Sequence, residues 1–422
     1  MKDVESSSSR ICVSAEIWAR FIDFEGIQYI SSLSNSCDKH HMVSVFKPEP
    51  LLPIDSVYIG ENYLGVMQVL FCSSTQTPAA KRRRDLWWRI IRLGERDPSL
   101  IIQTDGLKIR EIIPATKATD SQCSLWSVPP SGPVRPVQLE PSSPATQLSM
   151  LVCNLPGVTA YSVYWDYRII SFHAHVAGEN LTFYEGCEDG VWMYFPLEEG
   201  EKISEIWKYS QFKRGSGLIF RTTYGRIAHL CPQPKLQPHP APTLIDLPRQ
   251  DKGSRLFFEH SPLGVRNLSF ETPKPVSASD PPTLPEPLSK HPKSTFFESY
   301  FYSSALLDGV IKIVPCQRNL RGKQHIIGLL LQFPERRQSC VGQIRLDCLG
   351  SPLQLDDHQS IWLGFSTDDY RPFVSVLQLS ESKPNEDLSW LEVQPCNTLE
   401  WWFSLRQCQV CYMGKSSPPT RL

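Results

Sequence analysis

Few residue sets in this chain have the types and spacing that chemistry needs. Cys408-Gln-Val-Cys411 is the one Cys-x-x-Cys. A structural zinc site takes four ligands, usually two such pairs, and no second pair is present. Leu399, Trp401, Phe403 and Leu405 before it alternate as a buried strand face. If that strand continues, Cys408 and Cys411 point to opposite faces and read as separate buried thiols. Cys37-Asp-Lys-His-His41 gathers a thiol, a carboxylate and two imidazoles in an expected loop, with nothing distant to complete a tetrahedron. His173-Ala-His175 sets two imidazoles on one strand face, a geometry that serves a metal or simply faces solvent; the solvent-facing reading is preferred. Lys81-Arg82-Arg83-Arg84 is the sole basic cluster and the candidate nuclear-import signal, against a solvated loop feeding a strand whose Leu86, Trp88 and Ile90 face the core.

The carboxylate pairs Asp356-Asp357, Asp368-Asp369 and Glu198-Glu199 are adjacent in expected turns, where acid–base work would need a further partner across the fold. There is no Gly-x-Ser-x-Gly elbow, phosphate-cradling loop, dinucleotide fingerprint or His-Glu-x-x-His. The sequence therefore assigns no catalytic residue, no metal ligand and no cofactor, and the reading leans away from an enzyme. In Trp87-Trp88 and Trp401-Trp402, alternation turns one indole of each pair inward. The other is left as an anchor for a partner or, the preferred reading, as packing between modules.

The elements that must position these residues follow from the wider composition. The chain has 422 residues, 41% hydrophobic and 21% charged, with 43 basic against 44 acidic side chains. That length buries a large core and suggests two or three domains. The balanced charge supplies no field for nucleic acid, which is not an expected partner. The longest apolar runs, Tyr63 to Phe71 and Ile326 to Phe333, are strand-sized and far short of the roughly 20 residues of a membrane helix. No apolar targeting segment opens the chain, and its 13 cysteines read as reduced thiols, so the expected address is cytoplasmic, nuclear or both.

Thirty-six prolines concentrate in two stretches, 114–147 and 232–293, which read as linkers. The apolar island Arg255-Leu-Phe-Phe-Glu inside the second is placed to dock on a neighbouring sheet. Three blocks remain, an N-terminal one over 10–113 and two more over 148–231 and 294–412, followed by a disordered tail at 413–422. Their dominant period is two, as in Tyr161, Val163 and Trp165 or in Ile170, Phe172 and Ala174. The expected fold is mainly β: two or three β-sandwich or β-prism-like modules joined by the Pro-rich linkers. Gly217-Leu-Ile-Phe-Arg-Thr-Thr-Tyr-Gly-Arg-Ile-Ala-His-Leu also aligns without gaps onto the stretch from Gly328 to Val341. Each reads as strand, polar turn and return strand, either by duplication or because buried hairpins look alike.

The strand at Ile203 to Ile206, the hairpin at Gly217 and its partner at Gly328 resemble repeat units of the jacalin-like β-prism lectins. In that family a Gly-x-x-x-Asp loop binds sugar. The one such spacing here is Gly364-Phe-Ser-Thr-Asp368, so the resemblance makes Gly364 and Asp368 candidate ligand-binding residues, with an ordinary turn carboxylate as the alternative. A second resemblance spans more of the chain. Phe297 to Val310, Ile327 to Phe333, Cys340 to Asp347 and Leu399 to Ser404 are together similar to uncharacterised filamentous-fungal proteins of the F-box-associated type. Ala19 to Ile30 and Tyr58 to Val69 resemble the region after the F-box there, although no Leu-Pro-rich helical F-box precedes Ala19. These resemblances imply a fungal interaction module. The resulting expectation is a non-catalytic binding protein that recognises another protein, with carbohydrate as the second partner class. The alternative is an accessory or cyclase-like β-barrel enzyme acting through an apolar cavity.

Overall fold

A computed structural model of the protein describes residues 7–37, 41–49, 54–73, 78, 80, 83, 85–94, 97–115, 124–141, 146–211, 215–234, 241–276, 280–293, 298–356, 358–368, 371–384 and 388–417. It is mainly β: of the described residues, 55% lie in strands and 3% are helical, and no helix among them has seven or more residues. Among the described residues no helix is long and apolar enough to cross a membrane.

The N-terminal block folds as two three-stranded sheets against one end of a large sheet. The first has the order β1 (Ser7–Cys12), β8 (Ser99–Thr104), β9 (Ile109–Pro114). The second has β3 (Ile27–Ser34), β2 (Ile17–Phe24), β4 (Val43–Phe46). The large sheet runs β11 (Arg135–Gln138), β21 (Asn267–Phe270), β20 (Ser254–Glu259), β12 (Gln147–Cys153), β10 (Leu125–Trp126), β7 (Trp87–Arg92), β5 (Ser56–Asn62), β6 (Gly65–Cys72). Ile17, Val57, Ile59, Leu100 and Ile109 close the core between them, and Trp88, Trp126 and Phe257 pack on the sheet's other face.

That sheet runs through both stretches expected to be linkers. β10 and β11 lie within 114–147, and β20 and β21 lie within 232–293, as does β19 (Thr243–Asp246). The apolar island explains it: Leu256, Phe257 and Phe258 are all buried, the signature of a strand covered on both faces. Proline is accommodated at the edge, where Pro136 lies in the outermost strand β11 and no ladder donor is missed.

Four further units share one core. A three-stranded sheet has the order β14 (Arg168–Val176), β13 (Val158–Asp166), β15 (Val191–Pro196); beside it stands β18 (Ile227–Leu230), β17 (Gly215–Thr222), β16 (Ile203–Gln211), β19. Another is β22 (Phe301–Leu306), β30 (Thr398–Phe403), β31 (Cys408–Tyr412), β32 (Lys415–Ser416). The last runs β26 (Leu353–Gln354), β23 (Lys312–Leu320), β24 (Lys323–Gln332), β28 (Arg371–Ser380), β27 (Ser360–Asp368), β29 (Ser389–Val393), with β25 (Gln338–Gly342) also on β24. Tyr161, Val163 and Trp165 fall on one face as their alternation requires. They join Trp207, Phe220, Leu329, Leu363 and Trp401 in a single apolar cluster, so blocks 148–231 and 294–412 meet in one core. The chain stays ordered past 412, since β32 returns on β31 and Ser417 bonds Val410; residues 418–422 lie outside the described residues.

Candidate binding cleft

The residues singled out from the sequence are scattered by this fold. Gly364 and Asp368 lie in the last five residues of β27, paired with Val376 and Arg371, and not in a loop. Four residue rises along the strand separate them by about 13 Å. The glycine serves packing, because a Cβ there would stand 2.9 Å from the Trp390 ring. The Asp368 side chain lies outside the described residues. So do Lys81, Arg82 and Arg84; the Arg83 carbonyl accepts from the Leu86 N–H at the entry to β7. Cys37 and His41 are exposed, and residues 38–40 between them are not described. Cys408 faces the main core, and Cys411 packs with Tyr300 and Trp402 on the opposite face.

What the fold builds instead is a pair of neighbouring clefts where β15, β18, β22, β25 and β30 converge. The first, about 310 Å³, is lined by Tyr194 and Phe195 from β15, Arg226 from the β17–β18 turn, His229 from β18, and Phe301 and Tyr302 from β22. Arg226 sits 4.7 Å from the Phe195 ring centroid and donates to the buried Glu201 carboxylate at 2.7 Å. Glu201 also accepts the Glu198 N–H at 2.8 Å. On one wall, the Cys340 thiol donates to the Tyr194 carbonyl at 3.1 Å. Burial pushes this thiol up to about 12, so it is no nucleophile at neutral pH. His229 Nε2 lies 2.9 Å from Cys231 Sγ, and Ser303 accepts the Gly342 N–H at 2.8 Å.

The second cleft, about 410 Å³, adjoins the first through Gln233 and Pro285, with Tyr209, His291 and Trp402 on one side and Pro282 to Pro287 on the other. Its proline wall belongs to the second expected linker, which lies here as an extended strap over β30. The buried Glu400 carboxylate accepts the N–H of Leu288 at 2.7 Å and of Ser289 at 2.9 Å. Trp402 Nε1 donates to Ser289 Oγ at 2.8 Å, and the His291 ring lies 5.0 Å from the Trp402 ring. Trp401 enters the main core and Trp402 takes the other face. Yet Trp402 is only 1% exposed, because the chain's own strap covers it. The signal available in the sequence was Glu400 directly before the Trp401-Trp402 pair. A carboxylate on the outer face of a buried strand needs donors, and an unpaired backbone segment can supply them.

A second polar assembly lies on the outer face of β13 and β14. His175 is 1% exposed, contrary to the solvent-facing expectation, since Phe183 and Tyr184 of a 3-10 turn (Thr182–Tyr184) cover that face. Its Nδ1 lies 2.6 Å from Glu179 Oε1 and its Nε2 2.7 Å from Ser162 Oγ; His173 Nε2 is 2.8 Å from the other Glu179 oxygen. Burial pushes His175 down to about 4. Burial alone would raise Glu179, but hydrogen bonds from the two imidazoles hold it below its ordinary value. Ser162, His175 and Glu179 have the connectivity of a nucleophile, base and orienting acid. Ser162 is however 1% exposed in mid-strand and lines neither cleft, so no substrate reaches it.

Compared with family models and with curated proteins, the chain matches none. The class that fold and site define is a many-sheeted β protein with an aromatic-walled, strap-bordered cleft.

Proposed function

We propose that this protein is a non-catalytic binding protein that takes an extended, proline-containing segment of a partner protein into the cleft bordered by Tyr194, Arg226 and Tyr302. The observation that carries the reading is the strap. An extended proline-rich segment already lies against Trp402 and Tyr209, gripped through two consecutive backbone N–H groups by Glu400. Aromatic grooves receive extended proline segments with little ordering cost. Both clefts are open and of mixed polarity, which favours binding over the alternative, an enzyme working in a closed apolar cavity. Carbohydrate is the second reading, favoured by aromatic faces beside Arg226 and Gln233 and by the jacalin-like resemblance of the hairpins. The F-box-associated resemblance supports an interaction role in a filamentous fungus.

The test is an array of proline-containing extended peptides, run beside a glycan array with the purified full chain. Saturable peptide binding that weakens at least tenfold in Tyr302→Ala supports the reading. Glycan binding without peptide binding replaces it with the carbohydrate reading, and binding to neither array overturns both.

A further inference from the structure

We propose that His173, His175 and Glu179 form a binding site for one divalent transition-metal ion of the zinc class. One ligand atom from each of His173, His175 and Glu179 lies within 4.8 Å of the other two, the one such group of three among the described residues, and His173 Nε2 and His175 Nδ1 stand 2.8 and 2.6 Å from the two Glu179 oxygens. Two imidazoles and a carboxylate are a common protein donor set for zinc, with the fourth position left to water. Bonds of about 2.0–2.2 Å in tetrahedral geometry put ligand atoms roughly 3.4 Å apart, so closing this set on an ion takes only small side-chain adjustments.

The local chain builds the arrangement. Residues 173 and 175 share one face of β14, as strand alternation requires. The turn after the strand, with Gly178 at φ +73°, carries Glu179 back over that face, where its N–H bonds the Val176 carbonyl at 3.3 Å. The surroundings then hold the donors in place. The His173 ring stacks on Phe183 at 3.6 Å and 11°. His175 Nε2 is 2.7 Å from Ser162 Oγ, so a metal on Nδ1 leaves Nε2–H donating to a fixed oxygen, the outer-shell contact that orients metal-bound histidines. Access remains from one side, since the His173 and Glu179 side chains are 27% and 12% exposed while that of His175 is 1%. An ion here would pin the covering loop to the sheet. That loop supplies Tyr184, whose hydroxyl accepts the Leu346 N–H at 3.3 Å and whose ring lies 4.9 Å from the Arg345 guanidinium.

The test uses untagged full-length protein stripped with a chelator, then titrated with Zn²⁺ by calorimetry and with Co²⁺ by visible absorption. One equivalent is expected to bind, with the visible bands of tetrahedral cobalt and a rise in melting temperature, because an ion that binds only the native state stabilises it. His173→Gln and Glu179→Gln each remove one donor from the more exposed side and should weaken binding at least tenfold, since even outer-shell losses cost 10–100-fold. Melting of the metal-free variants shows whether they remain folded. No saturable binding overturns the proposal, and so does binding whose affinity and cobalt spectrum are unchanged in both folded variants.

Discussion

Two four-stranded units of this protein, β19-β16-β17-β18 and β26-β23-β24-β25, have the same strand order, with β24 pairing β28 in addition, and the same register in their second hairpin. Leu218 faces Leu230 in one, and Leu329 faces Val341 in the other, each pair displaced by 111 residues. They differ at the turns and at one glycine. The first turn folds on Thr222, whose hydroxyl accepts from the N–H of Tyr224 and of Arg226, with Gly225 at φ +77°. The second runs through Pro334 with Glu335 and Arg336 at φ 58° and 62°. Arg226 lines the cleft and leaves its turn to reach the buried Glu201, whereas Arg337 lies 3.9 Å over Phe333 of its own turn. The register therefore follows the buried period-two face and survives a complete change of turn chemistry, while the turn decides which unit places its arginine on the cleft wall.

The largest test of this comparison lies at the glycines. An alanine Cβ at Gly328 would stand 2.3 Å from the Gln343 carbonyl oxygen and 2.7 Å from that of Val341, all backbone. Gly328→Ala should therefore cost about 3 kcal/mol or more, seen as a collapse of the urea midpoint or loss of folded protein. At Gly217 the same Cβ meets the Cys231 side chain at 2.2 Å, and the place corresponding to Cys231 in the other unit is Gly342. Gly217→Ala should cost about 1–3 kcal/mol, and adding Cys231→Gly should recover most of it. A double variant no more stable than the single one would mean that both units are limited by backbone and would erase the distinction.

The arginines come next. Arg226→Ala leaves the fully buried Glu201 side chain without its cation and should destabilise by about 2–3 kcal/mol, below the range for wholly buried pairs because Arg226 is partly exposed. Arg337→Ala removes a cation–π contact worth about 0.5–1 kcal/mol. Equal losses in a chemical denaturation series would show that the cleft arginine is not structurally distinct from its counterpart.

How far these features were legible differs by element. Tyr161, Val163 and Trp165 announce their strand through period two alone, and the alignment of Gly217 with Gly328 locates a real shared register. Proline density misled at 232–293, because β20 is apolar on both faces and its neighbours' prolines sit at edges and strand ends, so composition outweighed a short buried run. Gly364 and Asp368 show the limit of spacing: five residues read as a loop are strand. His173 and His175 were visible as a pair, but Glu179 and Ser162 join them only through a turn and a cross-strand diagonal, which no local pattern encodes. The strap over Trp402 depends on Glu400 meeting a backbone 112 residues away, again beyond any local reading.

The smallest effect probes the turns themselves. Glu335 holds a left-handed backbone with a side chain, a conformation costing an ordinary residue roughly 1–2 kcal/mol. A glycine at this position would remove that strain but enlarge the unfolded ensemble by about 0.4–1 kcal/mol, so Glu335→Gly should be neutral or stabilise by up to ~1 kcal/mol. Gly225→Ala moves the other way, into strain with no steric contact within 4 Å of its Cβ, and should cost about 1 kcal/mol. Urea midpoints of the two variants, measured together, check the opposite signs. If Glu335→Gly is instead clearly destabilising, the second turn is held by the Glu335 side chain and not merely tolerated, and the two units share a register but not the rule by which their turns close.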